Sequence, residues 1–116
     1  MNRQMLARIG EKMAEKAAIE RGYQILNRNY RCRWGEIDLV LKSNDIVIFA
    51  EVKTRSTNRF GAPHEAVTPA KQRQLQKLGR WYASENNLKG FNFRFDVVAI
   101  MTDDAGISLR WYENAF

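Results

Sequence analysis

Two runs rich in apolar and β-branched residues, Glu36 to Ser43 and Ile46 to Lys53, flank the dipeptide Asn44-Asp45. Such runs favour strands, and Asn and Asp readily adopt the backbone angles of a two-residue turn. The segment is therefore constrained to an antiparallel hairpin, and the turn sets its register. Ser43 lies opposite Ile46, Leu41 opposite Ile48, Asp38 opposite Glu51, and Glu36 opposite Lys53. A four-residue turn on the same centre keeps this register, whereas a three-residue loop breaks it.

Periodicity supplies the remaining elements. Met5 to Glu20 reads as a helix, with Leu6, Met13, Ala14 and Ala17 gathered on one side. Gly22 ends it, and Tyr23 to Asn27 reads as a short strand. After the hairpin, Arg55 to Ala66 is a polar loop containing Gly61 and Pro63. Thr68 is a candidate N-cap and Pro69 a first helical residue, opening a helix that runs to about Glu85. Asn86, Asn87 and Gly90 break it. Arg94 to Met101 reads as a buried strand, and Ser108 to Tyr112 as an edge strand after the Asp103–Gly106 turn. The order is α-β-β-β-α-β with a trailing strand, in one domain over residues 1–116. A helix between two strands implies a crossover, so the expected architecture is an α/β fold with a mixed sheet flanked by helices.

The chain carries a net charge of +6 with a pI near 9.8, and a basic surface attracts polyanions, of which nucleic acid is the commonest in a cell. Cys32 is the single cysteine, which excludes an internal disulfide and a multi-cysteine zinc site. No apolar run approaches the roughly 20 residues of a membrane span. Arg3, Arg8, Glu11 and Lys12 interrupt the apolar residues of the N-terminus, unlike a signal peptide. The expectation is a cytoplasmic protein without membrane contact.

The hairpin register brings Asp38 and Glu51 face to face, with Cβ atoms roughly 4.5–5.5 Å apart. Two carboxylates so placed repel each other, and a shared proton, a lysine or a divalent cation would relieve the repulsion. Oxygen ligands suit Mg²⁺ or Mn²⁺. Lys53 follows Glu51 by two residues on the same strand face. There it could orient or deprotonate an attacking water, or neutralise charge developing on a phosphate. Water activated by a cation and attacking phosphorus is the reaction this pattern suits. The competing reading is a solvated charged face, which a half-exposed hairpin also produces.

The run Gly35-Glu36-Ile37-Asp38-Leu39, a turn, then Phe49-Ala50-Glu51-Val52-Lys53-Thr54-Arg55 resembles the PD-(D/E)xK nuclease superfamily. More closely, it resembles the small YraN-like, endonuclease-related bacterial proteins. The likeness extends to Gly10-Glu11, Asn29 to Arg33, Phe60-Gly61-Ala62-Pro63, Glu65-Ala66-Val67 with Lys71, and Arg94 to Val98. It implies a restriction-endonuclease-like αβββαβ core and a DNA-cleaving activity dependent on Mg or Mn. It also implies Asp38 and Glu51 as metal ligands, the Val52 carbonyl as a further ligand, Lys53 as the catalytic lysine, and Glu11 as an auxiliary acid from the first helix. Two departures stand out: Ile37 replaces the proline of the superfamily name, and Ala50 replaces a more usual valine.

Other residues carry two readings each. By helical period Glu11 borders the apolar stripe, where it either reaches inward to the site or points to water. Lys71 falls among Leu75, Leu78 and Tyr82 on the face that should meet the sheet. It either contacts phosphate or pairs with Asp38 or Glu51, or it escapes past the helix end. Arg31, Arg33 and Arg55 flank the hairpin and are candidates for nucleic-acid binding, with Arg28 and Arg59 nearby. Tyr30, Trp34 and Phe60 would suit unpaired bases. Arg73, Lys77 and Arg80 read as a solvated helix face, His64 as a surface loop residue, Cys32 as packed, and Asp96 as a partner for a nearby arginine. The partner expected is nucleic acid, above all DNA in branched or single-stranded form. A homodimer would enlarge the footprint of so small a domain. Two non-catalytic alternatives stand beside the nuclease: a nucleic-acid-binding module of a repair, recombination or uptake machine, and a protein-interaction domain.

Overall fold

The structure is a computed structural model that describes residues 2–55 and 67–116. Its elements are α1 (Arg3–Glu20), β1 (Gln24–Cys32), β2 (Gly35–Ser43), β3 (Ile46–Arg55), α2 (Pro69–Glu85), β4 (Asn92–Asp103) and β5 (Gly106–Tyr112). The strands form one sheet in the order β1-β2-β3-β4-β5. All neighbours are antiparallel except β3 and β4, which run parallel because α2 carries the chain back across the sheet. The expected mixed sheet flanked by helices is what the chain adopts.

Each helix covers one face. Leu75, Leu78 and Tyr82 of α2 pack on Ile37, Val40, Val47, Phe49 and Val97. Ala14 and Ala18 of α1 pack on Leu39, Leu41, Ile48, Ala50, Val98 and Ile100. The central strands are thus buried on both sides, which explains their nearly continuous apolar runs. Thr68 caps α2 by accepting the Lys71 N–H at 3.1 Å, and Pro69 opens the helix as expected.

Three expectations shift. The buried stripe of α1 is Gly10, Ala14 and Ala18: of the expected residues Ala14 is buried and Met13 packs partly against the core, while Leu6 and Ala17 are not in the buried stripe. The reason is steric: a Cβ on Gly10 would lie 2.8 Å from Thr54 Oγ1 and 3.1 Å from Ile100 Cγ1, so small residues let the helix sit low on the sheet. The strand expected over Tyr23 to Asn27 instead spans Gln24–Cys32, because pairing with β2 overrides the weak strand preference of its asparagines and arginines. Arg55 belongs to the end of β3, opposite Met101, and not to the loop. The remainder of that loop, with Arg59, Phe60, Gly61, Pro63 and His64, lies outside the described residues.

Candidate active site

The turn produces the expected hairpin. Asn44 takes a left-handed φ of 55°, Ser43 pairs with Ile46, and Leu41 pairs with Ile48. The paired stretch ends at Leu39↔Ala50, one step before Asp38 and Glu51. Beyond that point Glu36 does not meet Lys53. It pairs across the other edge of its strand with Arg31, at 3.3 Å.

The cause is an irregular step at Asp38. Ile37 and Val40 both pack under α2, while Leu39 and Leu41 pack under α1. Strict alternation would put Ile37 with Leu39. On the neighbouring strand Asn29 takes a φ of 50°, between the pairs Arg28↔Leu39 and Tyr30↔Ile37, which keep one register. Asp38 therefore does not share one regular face with both Glu36 and Val40. Its side chain turns toward β3, where Oδ2 accepts the Val52 N–H at 2.8 Å.

That turn brings the two acids close enough for Glu51 to act on the Asp38 carboxyl. Burial, and then Glu51, push the Asp38 carboxyl up to about 8, against the opposing pull of the Val52 N–H and of Lys53. The protonated form of Asp38 is thereby favoured. Glu51 is only 7% exposed. Its Oε2 is buried and accepts no hydrogen bond from the described residues, and Lys71 Nζ stands 3.5 Å away. A carboxylate oxygen in that condition is costly to bury and is a ready ligand for a cation.

Around this pair the structure brings Lys53, Glu11 and Lys71, whereas the contacts of Arg31, Arg33 and Arg55 lie elsewhere. Lys53 lies close enough to lower the pKa of Asp38. Glu11 approaches from α1: its own carboxyl is raised, first by burial and then by Asp38, Glu36 and Glu15. Lys71, in the first turn of α2, reaches Glu51, which selects pairing over escape past the helix end. Arg31 is exposed beside Glu36, and Arg33 places its guanidinium 4.8 Å from the centre of the Trp34 ring. Arg55 ends β3 at the same end of the sheet where β2 begins, and its carbonyl accepts Thr102 Oγ1 at 3.3 Å. Asp96 is structural. Fully buried, it accepts two hydrogen bonds from Arg94, one from Trp111 Nε1 and one from the Asn114 N–H.

The described residues include no group of three or more His, Cys, Asp or Glu side chains arranged to hold a metal ion. The two-acid set of Asp38 and Glu51 fits only a hard cation that completes its shell with water, backbone or phosphate oxygens. Sequence reasoning missed three supports. Gly10 sets the depth of α1 beside the site, and a glycine inside a helical pattern was its signal. Asn29 takes a positive φ in β1, between the pairs that flank Asp38. Gln74 holds the β1–β2 turn by donating to the Trp34 carbonyl at 2.9 Å.

The family model of the uncharacterised protein family UPF0102 matches residues 10–100, a span that contains every one of these site residues. The chain belongs to this family. The UPF0102 protein of Syntrophus aciditrophicus is 40% identical over 109 residues, covering 94% of this chain and 86% of the relative. That of Clostridium tetani is 43% identical, covering 96% and 93%. That of Caldicellulosiruptor saccharolyticus is 36% identical over the whole of both chains. The UPF0102 fold is thus described here over nearly its full length, and among the described residues no helix is long and apolar enough to cross a membrane.

Proposed function

We propose that this UPF0102 protein is a nuclease of the PD-(D/E)xK superfamily that hydrolyses phosphodiester bonds in DNA with Mg²⁺ or Mn²⁺. The observation that carries the reading is the buried Oε2 of Glu51 beside Asp38, which accepts no hydrogen bond from the described residues and has Lys71 Nζ 3.5 Å away. Asp38 and Glu51 would hold the cation, with the Val52 carbonyl as a third ligand. The cation, when bound, polarises the phosphate and makes water a better nucleophile.

The chain's own groups do the rest. Asp38 gives up its proton as the site fills, and its Val52 hydrogen bond keeps the carboxylate aimed at Glu51. Lys53 holds or deprotonates the attacking water and offsets charge on the phosphate. Lys71 leaves Glu51 for a phosphate oxygen when substrate arrives, and Glu11 adds a further acid from α1. Arg31, Arg33 and Arg55 contact flanking phosphates.

One observation favours a second reading. Lys71 already offsets the charge of Glu51, as a non-catalytic nucleic-acid-binding module would need. A cleavage panel over linear, single-stranded and branched DNA and RNA separates the two, run with Mg²⁺ and with Mn²⁺. The nuclease reading expects cleavage that Asp38→Ala abolishes and that Lys53→Ala slows by roughly 10²–10⁴. Salt-sensitive binding without cleavage supports the module, and cleavage that survives both substitutions contradicts the site.

A further inference from the structure

We infer that Trp34 and Trp81, with Arg33 and Lys77, form a stacking platform for unpaired bases, so that the substrate carries a single-stranded segment next to the bond to be cut. The link to a scissile bond rests on the proposed phosphodiester chemistry; the platform itself needs only nucleic acid.

Four observations meet here. The first is aromatic surface. Trp81 is 38% exposed, and its ring meets that of Trp34 edge-on, with centroids 6.3 Å apart. The third tryptophan behaves differently: Trp111 donates to the buried Asp96 and meets Tyr23 edge-on, so its role is structural. The second observation is charge. Lys77 Nζ lies 3.6 Å and the Arg33 guanidinium 4.8 Å from the Trp34 ring centre. No acidic residue precedes Glu85 in α2, whereas Arg73, Lys77 and Arg80 are all exposed on it. An indole partly packed on the core with two cations over it, next to the exposed Trp81, suits a ligand that carries π-faces and anions together, as a nucleic-acid strand does.

The third observation is rigidity. Gln74 donates to the Trp34 carbonyl, and Gly35 takes a φ of 134° that favours glycine, so the backbone next to Trp34 is held in a defined turn. The fourth is position. Gly35 precedes Asp38 by three residues, about 10 Å along a strand. Lys71 precedes Lys77 by six, about 9 Å along a helix. Both paths put the platform roughly 10 Å from the acids, within a few nucleotides along a strand. Paired bases hide their faces in the duplex stack, so only unpaired ones can use it.

The test is anisotropy binding in chelator, where no strand is cut. It compares labelled oligothymidylate of about 15 nucleotides with a blunt duplex of the same length. The wild type should prefer the single strand. Trp34→Leu, which keeps bulk but not the aromatic face, should weaken single-strand binding about tenfold and duplex binding less than about twofold, with Trp34→Tyr restoring most of the loss. Equal affinity for the two ligands, or unchanged single-strand binding in Trp34→Leu, overturns the inference. So does binding to neither, which would leave the surface to a protein partner. Trp81→Leu and Lys77→Gln change exposed side chains and are read in the same way if Trp34→Leu does not fold. Cleavage in Mn²⁺ without strand preference would remove the platform and leave the nuclease standing. Platform binding without cleavage in either metal would do the reverse.

Discussion

Asp38 differs from an ordinary surface aspartate because it is half-buried beside another acid. Its protonated form is favoured in the fold, so its contribution to stability is complete below the ordinary value of 3.8 and is lost as pH rises to about 8. Asparagine cannot ionise. In chelator, Asp38→Asn should therefore gain stability over the wild type between pH 4 and pH 8, on the order of 2 kcal/mol after discounting for partial exposure. Urea titrations at both pH values check this, and a constant difference would contradict it. That Asp38 and Glu51 lie close together was legible in the sequence, because the two-residue turn sets a register that runs to Leu39↔Ala50, next to both acids. The aim of Asp38 was not. It depends on a break in the alternation of β2 between Ile37 and Leu39, and no local pattern around Asp38 announces that.

Between elements, the site depends on two helices held at set heights. Gly10 brings α1 down onto Thr54 and Ile100, and Glu11 follows it. Gly10→Ala should raise helix propensity by about 1 kcal/mol yet lower net stability by about 1–2 kcal/mol, because the added methyl meets Ile100 as well as the Thr54 hydroxyl. Thermal unfolding measures the sign, and a more stable variant would show that α1 can ride higher without loss. On the other face Thr68 caps the turn that carries Lys71. Thr68→Ala should cost about 0.5–2 kcal/mol and loosen the Lys71–Glu51 pair. Unchanged denaturation would mean that the cap contributes nothing. Both helices, the hairpin and the crossover were legible from caps, turns and periodicity. The length of β1 was not, since its arginines and asparagines become a strand only by pairing with β2.

For the whole molecule, the topology gathers chemistry at one end of the sheet. β2 begins there, β3 ends there, and α1 and α2 each bring a charged side chain to the gap between the two strands. The surplus of positive charge, +6 over the chain, sets how a polyanion would approach. Its binding should weaken steeply with added salt, by about tenfold or more between 50 and 200 mM if several phosphates are contacted. Anisotropy at two salt concentrations measures the slope, and a flat response would remove the electrostatic part of the account. The claim on which the rest depends is that Asp38 and Glu51 grip one cation between them. Calorimetric titration with Mn²⁺ tests it most directly. The account predicts one site per chain in the wild type and loss of most of that affinity in Asp38→Ala; equal Mn²⁺ uptake by the two proteins would contradict it.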